Sequence, residues 1–595
     1  MSALPRFIVD LTALLGLMPA HRAPMGMGRV QMALLEAGLA PGDSPMFDLT
    51  VFSPEQGRFV EFPATLLLAL IHSARESGRH DAPSWRALLQ SASDARKAGP
   101  PSVFAAGDRV LALGLTGADP AQLRRLRELR QAHHVIICVL FYDAIPLATP
   151  EHCAPELSRS FSEYFLALCL QIDRAVAIST HSARDFQLWQ RRLLPHLDIP
   201  VSVMPLNAQF PALAEAPGGE VLPEVLRDGR PFVLCVATIE ARKNHLLVLH
   251  AWLTLLRRHG DAVIPDLVLV GRLGFEGEAA LRLIQAAPEL RRRVTHLQEI
   301  GDGLLGLLYE RCLFTIFNSF HEGWGLPVTE ALAHGKLALA PDHTSLREAG
   351  GTGALYFTPQ SEPELVELAW SLIRDPQHRK RLEARLPERV RLRSWRDVAE
   401  GLVATLSAET LTLPEPVSRL LFPMGERISF EAPHIPDLPE LMPPGSLLHQ
   451  LLCEGEGWDA QEALGIGASW GKVGLRLPLP SPPAESLALT LEITAVAPGP
   501  AILRLRCHAP GAQTGPWLSE HLPAGQARLI RVEVPCCEAG VLLIEFDTGA
   551  PPEMPDQGRA TRFFFTGAML CAQSDTGAEL RYLSNRLGMT VMQAG

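Results

Sequence analysis

Two glutamates and two glycines in the stretch FTIFNSFHEGWGLPVTEALAHG, residues 314–335, are the strongest candidates for chemistry in this sequence. Gly323 and Gly325 let backbone amides approach a ligand closely. A helix that begins just after them attracts phosphate through its free N–H groups and its dipole. Glu322 before the turn and Glu330 after it can accept hydrogen bonds from hydroxyl groups. The spacing therefore suits a ligand in which a diphosphate lies between two polyols.

A strand and a helix must position these side chains. The apolar run predicts a strand that ends near Asn318, and Pro327 predicts the start of a helix because the first helical position needs no amide donor. Gly335 is a residue that ends such a helix. Glu322 is then expected in the loop at the carboxyl end of the strand, with Glu330 about one turn into the helix. Taken alone, the two glutamates would be interpreted as a solvated carboxylate and a partner of the helix dipole.

The full stretch resembles the signature of the retaining family-4 glycosyltransferases of the GT-B fold, in which two glutamates enclose a Gly-aromatic-Gly-Leu-Pro turn. The resemblance implies transfer of a sugar from a nucleotide sugar with retention of anomeric configuration. It implies that Glu322 holds hydroxyls of the donor sugar and that Glu330 holds the ribose. The residues of the turn that would also contact the donor are Gly323, Trp324, Gly325 and Leu326.

A second segment, VATIEARKN, resembles the phosphate-binding turn of the same family, and Lys243 matches its lysine. Many members carry an arginine six residues earlier, but Thr238 stands in that region and Arg242 is expected to substitute. The loop VGRLGF resembles the one beside the base or ribose, with Arg272 as its candidate contact. Glu322, Arg242 and Lys243 are therefore the predicted catalytic residues. Without the resemblance, the sequence favours equally a phosphate-binding pair and a pair of solvated charges at the start of a helix.

In the first half, MGMGRVQMALLEAGL resembles the glycine-rich loop and the following helix of the family. Gly26, Gly28 and Arg29 would then meet the donor diphosphate when two domains close, whereas a GxG alone indicates only a flexible turn. FYDAIPLATPEHCAPE resembles the acceptor-side loop, with Asp143 and His152 as candidates. Many relatives have a histidine directly before the Pro-Glu pair, where this chain has a threonine.

Three further segments resemble supporting elements of the family. Glu348 in SLREAGG would help to fix the active-site loop, or it would be an ordinary surface residue of a helix. Ser179 and Ser182 in AISTHSARDF are predicted helix caps. The segment RSWRDVAEGL resembles the terminal helix that crosses back onto the first domain.

The pattern over roughly the first 400 residues is that of parallel α/β architecture, with short apolar runs alternating with helical stretches. A Pro/Gly-rich stretch, PALAEAPGGEVLP, separates two series of such runs and predicts two doubly wound, Rossmann-like domains. The predicted strands are RFIVDLT, MFDLTVF, RVLALGL, HVIICVLFYD, RAVAIS and VSVMPL, then PFVLCVAT, DLVLVG, VTHLQEI, FTIFNS, KLALA and ALYFTP.

The last third of the chain differs in character. Eight prolines crowd the segment from Leu411 to Pro444, which predicts a linker or strap. Beyond it, alternating polar and apolar runs predict an antiparallel β-sandwich, in which Trp458 and Trp470 stack on sugar or are core or edge aromatics. The predicted domains are 1–215 (acceptor side), 216–410 (nucleotide-sugar binding, its last helix packing back on the first domain), 411–448 (linker) and 449–595 (sandwich).

Composition narrows the functional classes. At 47% hydrophobic and 20% charged residues, the chain has the balance of a soluble globular protein. Its net charge of −11 argues against nucleic acid as a partner. The ten cysteines lack zinc-ligand spacing and indicate reduced thiols in a cytosolic protein. The longest apolar run is too short to span a bilayer, so a cytoplasmic protein is predicted, with peripheral attachment at the inner face of the membrane left open.

The sequence contains neither an Asp-x-Asp nor a Walker lysine motif. Arg and Lys side chains and helix amides are therefore expected to neutralise the diphosphate, with no metal and no cofactor required. The predicted function is transfer of a hexosyl unit, with GDP-mannose as the favoured donor, to a saccharide or lipid-linked acceptor in cell-surface or exopolysaccharide synthesis. The alternatives are a GT-B phosphorylase or epimerase, and a non-catalytic glycan-binding scaffold.

Overall fold

The chain divides into two compact units. The first contains residues 1–161, 172–192 and 199–411, and the second contains residues 162–171, 193–198 and 412–595. The computed structural model describes residues 5–19, 26–40, 45–75, 82–114, 120–193, 198–207, 222–223, 226, 229–407, 424–430, 453–454, 457–462, 465–469, 471–479, 485–496, 501–509, 514–534, 541–549 and 561–586. All the candidate donor and acceptor residues lie in the first unit.

A seven-stranded sheet forms the first part of the first unit. Its strands are β1 (Phe7–Asp10), β2 (Asp48–Ser53), β3 (Arg58–Glu61), β4 (Arg109–Ala112), β5 (Ile136–Phe141), β6 (Arg174–Ala177) and β7 (Val201–Val203). The order is β3-β2-β1-β4-β5-β6-β7, and all pairs are parallel except β2 with β3. All six strands expected in this half are present. The edge strand β3 was not predicted, and it pairs with β2 as an antiparallel hairpin.

The helices among these strands are α1 (Thr12–Leu17), α2 (Met27–Gly38), α3 (Ala64–Arg75), α4 (Pro83–Ala98), α5 (Pro120–His133), α6 (Ile145–Ala148), α7 (Pro155–Gln171) and α8 (Thr180–Leu193). Residues 162–171 of α7 and Leu193 of α8 are grouped with the second unit. A 3₁₀ turn spans Pro150–His152. The residues after β1 form α1, where the sequence pattern indicated only a loop. None of the helices in the part of the chain that the structure describes has the length and apolar character needed to cross a bilayer.

A six-stranded, wholly parallel sheet forms the second part of the first unit. Its strands are β8 (Phe232–Val236), β9 (Asp266–Val270), β10 (Val294–Leu297), β11 (Thr315–Ile316), β12 (Ala338–Pro341) and β13 (Leu355–Phe357). The order β10-β9-β8-β11-β12-β13 is the Rossmann order 3-2-1-4-5-6, so the strand order reverses between β8 and β11. Ligands of such sheets bind at the carboxyl ends of the two strands at this switch point.

The helices of this second part are α9 (His245–His259), α10 (Glu278–Ala286), α11 (Pro288–Arg293), α12 (Asp302–Arg311), α13 (Leu326–Ala333), α14 (Leu346–Gly350), α15 (Glu362–Arg374), α16 (Pro376–Glu383), α17 (Leu386–Arg389) and α18 (Trp395–Ser407). The strand β8 is buried along its whole length, as expected for a continuous apolar run covered by helices on both faces. Helix α18 packs on α2, and the Arg393 guanidinium donates to Asn207 Oδ1 at 2.8 Å.

The second unit contains the antiparallel β-sandwich that the sequence pattern indicated. Its elements are β14 (Arg427–Ser429), β15 (Cys453–Glu454), β16 (Trp458–Glu462), β17 (Gly465–Ala468), β18 (Lys472–Pro478), β19 (Leu487–Ala495), β20 (Ala501–His508), β21 (Leu518–Leu522), β22 (Ala527–Val534), β23 (Val541–Asp547), β24 (Phe563–Ala572) and α19 (Thr576–Arg586). One sheet has the order β16-β17-β24-β19-β22, with β14 paired to β24, and the other has the order β15-β18-β23-β20-β21. Apolar side chains of both sheets share one core.

Two details of the sandwich bear on the sequence analysis: the position of Trp458 decides between its two alternatives, and a strand corrects the predicted linker. Trp458 is buried in the core, with its ring 5.2 Å from that of Phe565, so it is a core aromatic and does not present a sugar-stacking face. Residues 427–429, inside the predicted linker, form β14 because their backbone pairs with β24. Trp470 and the other residues of the linker, 411–423 and 431–448, lie outside the described residues.

Candidate functional site

The turn between β11 and α13 fits closely against the first sheet. A Cβ atom at Gly323 would overlap the carbonyl oxygen of Tyr142 and lie 2.9 Å from Asp143 Cβ, so only glycine fits there. Gly325 caps α13 with φ +106°, a conformation that favours glycine. Helix α13 ends at Ala333, followed by Gly335. The two glycines thus hold the loop that carries Glu322 against the loop after β5.

The loops after β8 and β11 are joined by hydrogen bonds. Phe320 N donates to Arg242 O at 2.9 Å, and Asn318 Nδ2 donates to Asn244 O at 3.1 Å. Asn244 has φ +43° and caps α9 by accepting from Leu247 N. This geometry ends the short 3₁₀ turn Ala241–Lys243 and directs its basic side chains to the switch point of the sheet.

Glu322 is buried at the centre of this arrangement, and its carboxylate forms two ion pairs. Oε1 accepts from Arg242 Nη1 at 2.9 Å and from Lys243 Nζ. Burial alone would raise the pKa of this carboxyl group, but Lys243 and Arg242 outweigh it and lower the pKa of Glu322 to about 2. Glu322 is therefore ionised at neutral pH. The structure brings the three predicted catalytic residues together.

The two cations differ in their surroundings. Burial and the neighbouring Arg242 lower the pKa of Lys243, against the opposing effect of Glu322. Burial also opposes the charge of Arg242, but Glu322, Glu240 and Asp143 together raise its pKa. Arg242 Nη2 lies 2.7 Å from Glu240 Oε1. A second strong negative charge placed here, such as a diphosphate, would stabilise the charged form of Lys243.

Glu330 has a different set of partners. Its Oε1 accepts from Arg29 Nη1 at 2.5 Å, and its Oε2 accepts from the Tyr309 hydroxyl at 2.8 Å. Arg29 also lies 3.6 Å from Asp302 Oδ1. Burial and Glu330 raise the pKa of Tyr309 well above its usual value, so the phenol stays a hydrogen-bond donor. Tyr309 was missed by the sequence analysis, because a single tyrosine on α12 carries no motif.

The other predicted donor residues lie around these two pairs. Gly26 caps α2, and Gly28 lies in its first turn, next to Arg29. Thr238 follows β8, and its neighbour Ile239 donates from its backbone N to Arg272 O at 2.8 Å, which joins the loops after β8 and β9. The Arg272 side chain is exposed.

Trp324 and Leu326, two residues of the turn, differ in how deeply their side chains are buried. The Trp324 side chain is buried, and its Nε1 donates to Thr329 Oγ1 at 2.9 Å, so the indole supports the turn from within. Leu326 is the first residue of α13 and is partly buried. The Ser345 hydroxyl, which the sequence analysis missed, donates to Glu322 O at 2.8 Å and also lies 3.0 Å from Trp324 O, so the two carbonyl oxygens share its one proton.

Both candidate acceptor residues adjoin the same loop. Asp143 is next to Gly323, and burial raises its pKa although Arg242 opposes that shift. One of its carboxylate oxygens accepts from Ile145 N at 3.1 Å. The His152 ring stacks on Phe320, with ring centroids 4.1 Å apart. The structure therefore places the acceptor candidates beside Glu322.

Of the three predicted supporting residues, Ser179 makes the expected helix cap and Ser182 does not, while Glu348 joins two helices. Ser179 Oγ accepts from Ser182 N at 2.9 Å, so Ser179 caps α8. Ser182 is not a cap: its hydroxyl donates to Tyr142 O at 2.6 Å and contacts Gly323 O at 3.1 Å. Glu348 accepts from the backbone N–H groups of Thr180 and His181 at 2.7 and 3.0 Å. Its carboxylate thus ties α14 to the start of α8.

Several known proteins are similar to this chain. The sequence family described as "Glycosyl transferases group 1" matches residues 223–389. The serotype-specific mannosyltransferase WbdA of Escherichia coli is 25% identical over 316 residues, which are 51% of this chain and 38% of WbdA. The D-inositol 3-phosphate glycosyltransferase of Nocardia farcinica is 28% identical over 267 residues, which are 44% of this chain and 58% of that protein. The chain thus spans well under two thirds of the length of these relatives.

Among solved structures, Anabaena Alr3699/HepE in complex with UDP superposes with a TM-score of 0.42 at 16% identity, covering 68% of this chain and 100% of that one. The N-terminal domain of Candida albicans trehalose-6-phosphate phosphatase gives a TM-score of 0.44 at 13% identity, covering 69% of this chain and 98% of that one. The family match includes the whole Glu322 centre and, of the second centre, Glu330 and Tyr309 but not Arg29. Residues 223–389 are thus similar to the group 1 glycosyltransferases, and Arg242, Lys243, Glu322 and Glu330 all lie within the matched region.

Proposed function

We propose that the protein is a retaining glycosyltransferase that moves a hexosyl unit from a nucleotide sugar to a saccharide or lipid-linked acceptor. The observation that carries this proposal is the buried carboxylate of Glu322, paired with Lys243 and Arg242 inside the region similar to the group 1 glycosyltransferases. Two cations and an ionised carboxylate at the switch point of a Rossmann-like sheet suit a ligand with a diphosphate beside a sugar.

The cations would act on the leaving group. As the bond between the sugar and the diphosphate breaks, negative charge develops on the departing phosphate, and preorganised donors stabilise it most strongly in a water-poor site. Lys243 and Arg242 are nearly buried and already fixed by Glu322, so little reorganisation is needed. A diphosphate bound there would compete with Glu322 for both cations and leave its carboxylate to the sugar hydroxyls.

Glu330 would hold the other end of the donor. Its carboxylate is positioned by Tyr309 and reached by Arg29, so a ribose hydroxyl could add to the same set of hydrogen bonds. Arg29 and the amides at the start of α2 would then face the diphosphate. No metal or cofactor is proposed for this step, because side-chain cations and helix amides supply the positive charge.

With retention, the acceptor hydroxyl attacks an oxocarbenium-like centre from the face that the nucleoside diphosphate leaves. Glu322 is not assigned the part of nucleophile, since both of its cation partners bind the carboxylate in the ground state. Its pKa of about 2 also excludes it as a proton donor at neutral pH. Asp143, next to Gly323, is the nearest candidate for contact with the acceptor.

The donor proposed first is GDP-mannose, because WbdA and the O-antigen chain mannosyltransferase B of Escherichia coli are named as mannosyltransferases. Their names also favour a role in cell-surface polysaccharide synthesis. We further propose a cytoplasmic location, with peripheral attachment to the membrane for a lipid-linked acceptor.

The test is release of nucleoside diphosphate from a panel of nucleotide sugars, measured with and without candidate oligomannose and lipid-linked acceptors. The proposal expects one donor to be turned over only when an acceptor is present. Turnover that requires inorganic phosphate in place of an acceptor would instead identify a phosphorylase. Conversion of the donor to an isomer without release of nucleoside diphosphate would identify an epimerase.

A further inference from the structure

A group of three side chains beside the signature turn has the composition of a metal site. His181 and Asp185 lie one helical turn apart on α8, and His321 directly precedes Glu322 in the loop after β11. One ligand atom from each residue lies within 4.8 Å of the other two. Two elements that are far apart in the sequence thus direct three ligand atoms to one point.

The three ligand atoms are close enough to share one ion after a small movement. His321 Nε2 is hydrogen-bonded to Asp185 Oδ2 at 2.8 Å, and His181 Nε2 lies 3.6 Å from the same oxygen. Around a tetrahedral zinc ion, with ligand bonds of about 2.0–2.1 Å, ligand atoms lie roughly 3.3 Å apart. The separation of 2.8 Å is shorter than that value, and the separation of 3.6 Å is longer.

The His181 ring supplies an independent observation. Its Nε2 is shielded from solvent and forms no hydrogen bond in the described part of the chain. At 3.6 Å the Asp185 carboxylate is too distant to accept a hydrogen bond from this nitrogen, and a bound ion would give the nitrogen a direct partner. The backbone of His181 is also held in place, because its N–H donates to Glu348 at 3.0 Å.

We propose that His181, Asp185 and His321 bind one zinc ion, with a fourth position for water. Two imidazoles and a carboxylate suit zinc, whereas magnesium and calcium prefer oxygen ligands only. This ion is separate from the diphosphate chemistry and does not depend on the proposed transfer reaction. It joins α8 to the loop that carries Glu322. Because these three ligands come together only in the folded chain, the bound ion would stabilise that state by mass action.

The test is calorimetric titration of the chelator-treated full-length protein with zinc chloride, alongside thermal unfolding with and without zinc. Magnesium chloride serves as the comparison ion. The variants are His181→Ala, whose lost nitrogen has no hydrogen-bond partner, and Asp185→Asn, which keeps the shape of the side chain. The control is His250→Ala, which removes an exposed histidine of α9.

The wild type and His250→Ala should each bind one zinc ion per chain, with a raised unfolding temperature, and magnesium should give no comparable signal. The affinity for zinc should fall roughly tenfold or more in His181→Ala and Asp185→Asn. If His181→Ala fails to fold, as judged by circular dichroism, the zinc affinity of Asp185→Asn alone is compared with that of the wild type. A wild type that binds no zinc, or zinc binding of equal strength in the folded variants, overturns the proposal.

Discussion

Glu322 and Glu330 are each ion-paired, but their cationic partners come from different parts of the first unit. Both carboxylates are buried and ion-paired. Glu322 lies in the loop that precedes α13, and Glu330 lies within α13. The partners of Glu322 come from the turn after β8 in its own sheet, whereas Glu330 is paired with Arg29 of α2 beside the first sheet. The second Rossmann-like part alone therefore assembles the centre around Glu322. The centre around Glu330 exists only when both parts are in place.

The largest effect is expected from Glu322→Gln, which removes the charge that both cations share. Loss of a charged partner in a closed site costs about 2–4 kcal/mol of transition-state stabilisation, or one to three decades in rate. The measurement is turnover of the donor identified in the nucleotide-sugar panel. The matched control is Glu278→Gln, which changes an exposed glutamate of α10. Turnover of Glu322→Gln within twofold of the control would exclude this centre from catalysis.

The next largest effect is expected from Lys243→Met, measured as donor affinity by calorimetry. A charged hydrogen bond to phosphate is worth about 1.5–3 kcal/mol, so affinity should fall roughly tenfold to a hundredfold. Lys97→Met, at an exposed position of α4, should leave affinity unchanged. Unchanged affinity in Lys243→Met would show that the diphosphate lies elsewhere.

A smaller effect is expected at the second centre, and a double-mutant cycle measures it. Arg29→Met and Glu330→Gln should each lower the free energy of unfolding in urea, and the double variant should lose less than the sum. Coupling energies of about 0.5–3 kcal/mol are usual for residues in direct contact. Additive losses would mean that the contact between the two parts contributes no stability.

Omission of magnesium and manganese should leave turnover unchanged, because the cations of the first centre are side chains. The assay is run on protein freed of both ions, with zinc supplied to keep the proposed zinc site filled. Loss of activity that magnesium or manganese alone restores would place an ion on the diphosphate and contradict this account of the Glu322 centre.

Removal of the residues after Ala408 should have the smallest effect on donor binding, because both centres lie in the first compact unit. The shortened chain should stay soluble and bind the donor as the full-length chain does. Aggregation, or a folded product that no longer binds the donor, would show that the sandwich is part of the catalytic unit.

The Glu322 centre was predictable because its parts are local motifs. The glycines, Glu322 and the Arg242–Lys243 pair each follow a strand of one parallel sheet, and neighbouring strands bring their carboxyl ends together. Alternating and continuous apolar runs likewise predicted both parallel sheets and the sandwich. Pattern reasoning placed the strands of both parallel sheets and six strands of the sandwich, but it missed the hairpin strand β3, the helices α1 and α19, and the sandwich strands β14, β15, β16, β17 and β21.

Contacts between distant segments were not predictable in the same way. The pairing of Arg29 with Glu330 was not predicted, because the two residues lie on helices beside separate sheets of the first unit and share no sequence motif. Tyr309 and Ser345 each act through one hydroxyl group, which leaves no pattern in the sequence. The group of His181, Asp185 and His321 joins two segments whose separation has no resemblance to a local metal motif. Only the packing of α8 against the signature loop reveals it.

The central claim is retaining transfer at the Glu322 centre, and the anomeric configuration of the product tests it most directly. Donor and acceptor are incubated with the wild-type protein, and the new glycosidic bond is examined by NMR against the same reaction with Glu322→Gln. The account predicts that the bond has the anomeric configuration of the donor and that the variant forms it at least tenfold more slowly. A product of inverted configuration, or one formed equally fast by the variant, would contradict the account.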